Sequence, residues 1–442
     1  MDTVLNRAKE LKQDLSDFVL DAEDDLAVSL ESFSAAQLAK TPHHDMQRRS
    51  LVIDRFIAEG EVGDQTPIDC FIAEHPELSP SDRQLLVGWK RSFVGLFSIV
   101  EVLADGFKLM NWTTAKQYVV RQPGPKELEK MARLGVGEIL LTQIAPLSEN
   151  EWMFFSPWTS LGKLGKPKLA VAIGNFKDNY KKHLYSDAPD LLEEAWRSVE
   201  KHHQTFVEFF GSEEVTLPGY QLSKKLAEFQ EVTTKKSLEA SGIDSSKSLE
   251  ELAEEAGVSQ EEIAEAAQAM GADEKTVAQL LQNKDKTKMI APTIELPPHL
   301  KKAEQVTVLT HPRWGQMFLP TYTQLKSLLE ADGEMPSNAK EIILRHLKDA
   351  NINSFVWYRL AEQYPTPLQS LLREALDRPA FNLQTDLDAL LQEFDKPIDT
   401  ELPEIASVPL HLHNLFQEAL LEVNKDKSKP KAKKKAASGF QR

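Results

Sequence analysis

Phe97-Ser98-Ile99-Val100-Glu101-Val102-Leu103, then Ala104-Asp105-Gly106, then Phe107-Lys108-Leu109-Met110-Asn111-Trp112, is the stretch where the chain leaves a helical period for that of a strand. The first run is apolar and β-branched, the triplet has hairpin-turn chemistry, and the last run reads as the returning strand. Tyr118-Val119-Val120, 138–145 and 152–158 continue the series, the last two joined across Ser148-Glu149-Asn150. Five short strands within roughly 60 residues predict a small antiparallel β-barrel or curled sheet, since such a sheet has to close or be covered to hide its edges.

Working outward, the period becomes helical on both sides. Val4, Ala8, Leu11, Leu15, Phe18, Val19, Ala22 and Leu26 recur every three or four residues and predict one long helix, interrupted at Thr41-Pro42-His43-His44. In this reading the acidic run Asp21 to Asp25 is a solvated helix face. Leu51, Val52, Ile53, Phe56 and Ile57 predict a helix stopped by Gly60 and Gly63, and shorter helices are expected over 67–74 and 81–90, with Ser79 or Ser81 as a cap. After Gly165, the segments 166–185, 187–210 and 220–236 have helical spacing and are expected to pack on the barrel. A strand is expected at 304–309, and 322–423 reads as helices broken at Pro336, Pro365, Pro379, Pro397 and Pro409.

The fold class is therefore α+β, mostly α-helical, with a small five-stranded antiparallel β-barrel or curled sheet embedded between helical regions. The expected organisation is an N-terminal helical region at 1–93, the barrel at 94–162 and a helical region packing on it at 163–236. An acidic three-helix module with linkers follows at 237–293, then a mainly helical domain at 294–424 and a disordered basic tail at 425–442. Two capping boxes, Ser248-Leu-Glu-Glu251 and Ser259-Gln-Glu-Glu262, specify helices in the acidic module.

Charge and composition narrow the function. The 442 residues are 41% hydrophobic and 27% charged, which suits a folded chain of several units. The net charge of −16 argues against wholesale nucleic-acid binding, but it is unevenly spread: 425–442 holds seven Lys and one Arg against Asp426. That tail is +7 and reads as an electrostatic tether to RNA, the ribosome, an anionic membrane surface or an acidic partner. A single cysteine, Cys70, fits a reducing compartment and, in Ile68-Asp69-Cys70-Phe71-Ile72, reads as a small buried hydrophobe. With no signal-like N-terminus and no apolar run of about 18 residues, neither secretion nor a transmembrane span is expected.

Motifs for chemistry are sparse. The run from Ser248 to Met270 resembles a bacterial helix-turn-helix, yet from Glu250 to Glu274 it carries nine acidic side chains and no basic one, so sequence-specific DNA binding is not expected. Ser160 to Pro167 lacks the spacing of a phosphate-binding loop, and Pro167 stands where a magnesium-binding hydroxyl is needed. The pairs His43-His44 and His202-His203 and the alternation His411-Leu412-His413 have no ligand partners at zinc spacing. No catalytic residue, cofactor or metal is expected. The segment from His311 to Tyr322 is dense in aromatic, Arg and Pro residues, which makes Arg313, Trp314, Phe318 and Tyr322 partner-binding candidates, alongside Lys431, Lys433, Lys434 and Lys435 of the tail. A packed interdomain loop explains the same density equally well.

The stretch 71–162, with HPELSPSDRQLLVGW and GEILLTQIAPLSENEW, looks like the accessory module found ahead of the zinc-binding tail in bacterial SEC-C-motif proteins. The end of the chain, KKKAASGFQR, has that family's lysines but not its zinc ligands, so the metal function does not carry over. The general texture resembles a soluble cyanobacterial protein. These readings converge on a non-enzymatic cytoplasmic scaffold or assembly factor, for photosynthetic or other macromolecular complexes, acting on one or more proteins. The alternative is a nucleic-acid- or ribosome-associated regulator that uses the basic tail, which also offers a peripheral route to a membrane.

Overall fold

A computed structural model describes residues 2–38, 46–122, 129, 131–240, 296–331, 336 and 338–428. Most of the acidic module expected at 237–293 falls outside the described residues, as do His43, His44 and the tail from 429 onward. The described helices of eight residues or more are α1 (Asp2–Leu20), α2 (Asp25–Leu38), α3 (Met46–Glu59), α4 (Pro67–Glu74), α5 (Pro80–Trp89), α6 (Lys166–Asn179), α7 (Pro189–Phe210), α8 (Gly219–Ala240), α9 (Tyr322–Glu330), α10 (Ala339–Lys348), α11 (Ser354–Gln363), α12 (Pro365–Leu376), α13 (Leu383–Glu393) and α14 (Leu410–Ser428). The chain divides into two compact units, one formed by Met1–Leu192 with Val408–Arg442 and the other by Glu193–Ser407. Among the described residues no helix is long and apolar enough to cross a membrane.

In the first unit, local chemistry sets most helix ends. Thr66 and Asp69 form a capping box at the start of α4, and Ser79 accepts from the Asp82 N–H to start α5, with Pro67 and Pro80 in the first turns. The long first helix is instead two. The Asp21 N–H closes α1 on Asp17 O at 2.8 Å, and Asp24 Oδ1 accepts the Leu26 N–H at 3.0 Å to open α2. The run from Asp21 to Asp25 is thus a helix break, because short carboxylate side chains offer the backbone caps that compete with helix continuation.

The strands are β1 (Phe93–Leu103), β2 (Gly106–Asn111), β3 (Gln117–Arg121), β4 (Ile139–Pro146), β5 (Glu151–Phe154) and β6 (Thr159–Gly162). The first five close as β1-β2-β3-β5-β4-β1, and β6 pairs with β4 outside the ring. All neighbours in the ring are antiparallel except β3 and β5, which are parallel in the register Val120↔Trp152. The expectation of an antiparallel barrel is corrected here for a topological reason: an odd number of strands cannot alternate in direction around a closed ring. β1 also begins four residues earlier than its sequence pattern, because Phe93 to Leu96 pair with β4.

The barrel is a filled core. Phe93, Phe97, Phe107, Tyr118, Trp152 and Phe154 point inward with Ile99, Leu109 and Val120, and Tyr118 and Trp152 meet edge to face with ring centroids 5.1 Å apart. The alternate residues of β1, Val94 and Leu96, are buried outside against Leu169, Ile173 and Phe176 of α6 and Leu412 and Leu415 of α14. Burial on both faces explains why this strand is an almost continuous apolar run. Another part of the wall, Ala145, Met153 and Phe155, joins Leu11, Phe56 and Trp89 in the core of α1–α5.

The second unit is built on β7 (Glu214–Leu217), β8 (Val306–His311) and β9 (Gly315–Leu319), in the order β7-β8-β9 and all antiparallel. On one face Val306, Val308, Val215 and Phe318 pack with Phe206 of α7 and Leu222 and Phe229 of α8. The apolar faces expected over 187–210 and 220–236 therefore contribute to this sheet's core. On the other face Leu309, Met317 and Leu319 join the leucine-rich core of α9–α13. The helices end near the expected prolines, with one additional break at Asp349–Asn353. There the Asp349 and Ile352 carbonyls accept from the buried Lys396 ammonium, and the Asn353 side chain caps α11.

Candidate functional site

Asp14, Asp17 and Phe18 are spaced three and four residues apart and so share one side of α1, and Asp21 follows just past its end. They face the start of α2 and the end of α4, where Asp24, Leu26, Phe71, Glu74 and His75 complete a groove of about 540 Å³. Its floor is apolar. Leu26 and Phe71 are buried, and Phe18 sits edge-on to Phe71 with ring centroids 5.4 Å apart. The His75 ring packs on Phe71 at 4.3 Å, while its Nδ1 contacts Glu77 Oε1 at 2.8 Å. The rim is acidic, since Asp14, Asp17, Asp21, Asp24 and Glu74 are all exposed. None of these five carboxylates forms an ion pair with Lys or Arg among the described residues.

Elsewhere the clustered charges are paired. In the second unit Arg359 lies 3.3 Å from Glu214 and 3.6 Å from Glu213, and Lys326 lies 3.0 Å from Glu214. Burial first, and then the Glu214 charge, holds the Tyr322 hydroxyl proton far above its ordinary pKa. In the first unit Glu59 joins Arg55 at 2.5 Å and His183 at 3.3 Å, with the Arg55 guanidinium over the rings of Phe33 and Tyr180. Burial alone raises the Glu59 pKa, but the hydrogen bonds and charges of His183 and Arg55 outweigh it and hold the carboxyl below its ordinary range. Lys12 lies 2.6 Å from the buried Asp54.

The residues singled out between His311 and Tyr322 form the β8–β9 turn, β9 and the start of α9. His311 Nδ1 accepts from the backbone N–H of Arg313 and Trp314 at 3.1 and 3.2 Å and so sets the turn. Arg313 is exposed, with its guanidinium 4.9 Å from the Trp196 ring. Trp314 packs against the core of α9–α13 and Phe318 against that of α7 and α8, both half-buried, whereas Tyr322 is fully buried. Lys431, Lys433, Lys434 and Lys435 lie outside the described residues.

His202, His203 and His411 are engaged in the framework. His202 Nε2 is 3.1 Å from Gln316 Oε1, His203 Nδ1 is 3.4 Å from Thr310 Oγ1, and His411 Nε2 is 2.9 Å from Trp112 O. Among the described residues no group of three or more His, Cys, Asp or Glu is arranged to hold a metal ion. Cys70 is half-buried, and burial followed by the Asp69 charge pushes its thiol pKa up, which keeps it protonated.

Sequence reasoning passed over the groove because its carboxylates look like ordinary solvated positions. The available signal was the set Asp14, Asp17 and Asp21 beside Phe18, which places acids on the border of an apolar stripe. No protein-family model, curated protein or solved structure matches this chain.

Proposed function

We propose that the protein is a non-enzymatic scaffold or assembly factor of the cytoplasm that holds a partner protein by a basic segment laid in the acidic groove. The observation that supports this reading is the set of five carboxylates around Phe18 and Phe71 that have no cationic partner among the described residues. Such a rim attracts Lys and Arg over a distance of about a Debye length, roughly 10 Å at 0.1 M salt. The aromatic floor then offers an anchor point for an apolar side chain of the same segment.

The test is affinity capture of the tagged full-length protein from native soluble extract, with and without nuclease, beside the triple variant Asp14→Asn, Asp17→Asn, Asp21→Asn. A defined protein complex that survives nuclease and disappears with the triple variant is the expected result. Equal recovery by both proteins overturns the groove reading. A second reading, an RNA- or ribosome-associated regulator, is favoured by the +7 charge of 425–442. It requires nuclease-sensitive recovery of ribosomal proteins and binding that weakens steeply with salt, because phosphate contacts release counterions.

A further inference from the structure

We infer that the chain's own segment 429–442 is an occupant of the acidic groove and competes there with a partner's basic segment. The inference rests on the reading of the groove as a site for basic segments. Three observations favour this occupant. The segment carries six positive side chains, at Lys429, Lys431, Lys433, Lys434, Lys435 and Arg442, and no acid, opposite the five carboxylates of the rim. It also contains one aromatic residue, Phe440, to meet the floor of Phe18 and Phe71.

The third is connectivity. The segment follows in sequence on α14, whose Leu412 and Leu415 are packed on β1 and α6 in the same unit that contains the groove. Its fourteen residues reach up to about 45–50 Å when extended. The acidic stretch 250–274 competes on charge, with nine carboxylates, but it holds no aromatic residue to receive Phe440.

A tethered competitor acts at an effective concentration in the millimolar range, which a free ligand has to overcome. The groove is then open to a partner in proportion to how readily the segment leaves it. Added salt weakens both interactions, because each depends on charge at an exposed rim.

The experiment titrates a fluorescent synthetic peptide of residues 429–442 into three full-length proteins: the parent, a tail variant with Lys429, Lys431, Lys433, Lys434 and Lys435 changed to Gln, and that tail variant with Asp14→Asn, Asp17→Asn and Asp21→Asn added. The tail substitutions change no residue of the described cores. The expected result is binding to the tail variant on the order of tenfold tighter than to the parent, and loss of that binding when the groove substitutions are added. Equal affinity for parent and tail variant overturns self-occupancy while leaving the groove reading intact. No binding to the tail variant overturns both. Carbodiimide crosslinking of the parent gives an independent readout, with links expected from Lys429–Lys435 to the groove carboxylates within one monomer. Links confined to 250–274, or found solely between two copies, overturn the inference.

Discussion

The acidic groove of the first unit and the charged cluster on the sheet of the second hold the same kinds of side chain in opposite states. Glu213 and Glu214 meet Arg359 and Lys326 within 3.0–3.6 Å, whereas Asp14, Asp17, Asp21, Asp24 and Glu74 gather around an aromatic floor without a cation among the described residues. A cluster that neutralises itself is part of the framework, because its charges are already spent on each other in a partly buried site. A cluster left unneutralised at an exposed rim repels itself and gains when a cationic partner arrives. The lesson is to read balance, not density, when a charged patch is considered as a binding surface.

The largest expected effect breaks the paired side of this contrast. Arg359→Ala removes one of the two cations at the partly buried Glu214 and the partner of the exposed Glu213, and is expected to lower stability by about 1–2 kcal/mol, seen as a lower urea midpoint. A variant as stable as the parent removes the framework reading of that cluster.

The second test uses pH on the other paired cluster. Glu59 has a folded pKa below its ordinary value, so it contributes stability above the ordinary glutamate range, and that contribution is lost as the pH falls through the folded value. Urea midpoints measured from pH 7 down to pH 3 are expected to fall less steeply for Glu59→Gln than for the parent. Parallel curves sink the assignment.

The smallest effect sharpens the unpaired side. Replacing Asp14, Asp17 and Asp21 by Asn is expected to change stability by no more than about 0.5 kcal/mol, with a slight gain as like charges are removed. Destabilisation well beyond that, read from the same denaturation curves, places these carboxylates in the framework.

Legibility followed the range over which each feature is decided. The end of α3 was readable from Gly60, the start of α4 at Pro67 and that of α5 near Ser79 or Ser81, and the β1–β2 hairpin from Ala104-Asp105-Gly106, because capping and turn chemistry act over a few residues. β7 and β9 were not. They are four and five residues long, and β7 finds its partner only where Val215 meets Val308, far along the chain. Of the groove, Phe18, Ala22 and Leu26 were seen as an apolar stripe, but the carboxylates beside them passed as solvent-facing, since nothing in α1 alone announces that α2 and α4 fold against it.

By itself, then, the sequence determined the mostly helical class with an embedded barrel, the hairpin at its start and the charge divided between an acidic body and a basic end. Period and local capping decide these, and both are written in neighbouring residues. Only the tertiary structure decided that the five-stranded ring contains a parallel pair, that the last described helix returns to the first unit, that Tyr322 is core, and that five carboxylates from α1, the α1–α2 break and α4 share one groove. Those outcomes depend on which distant segments bury their apolar faces together, and on the geometric demands of closing a sheet with an odd number of strands.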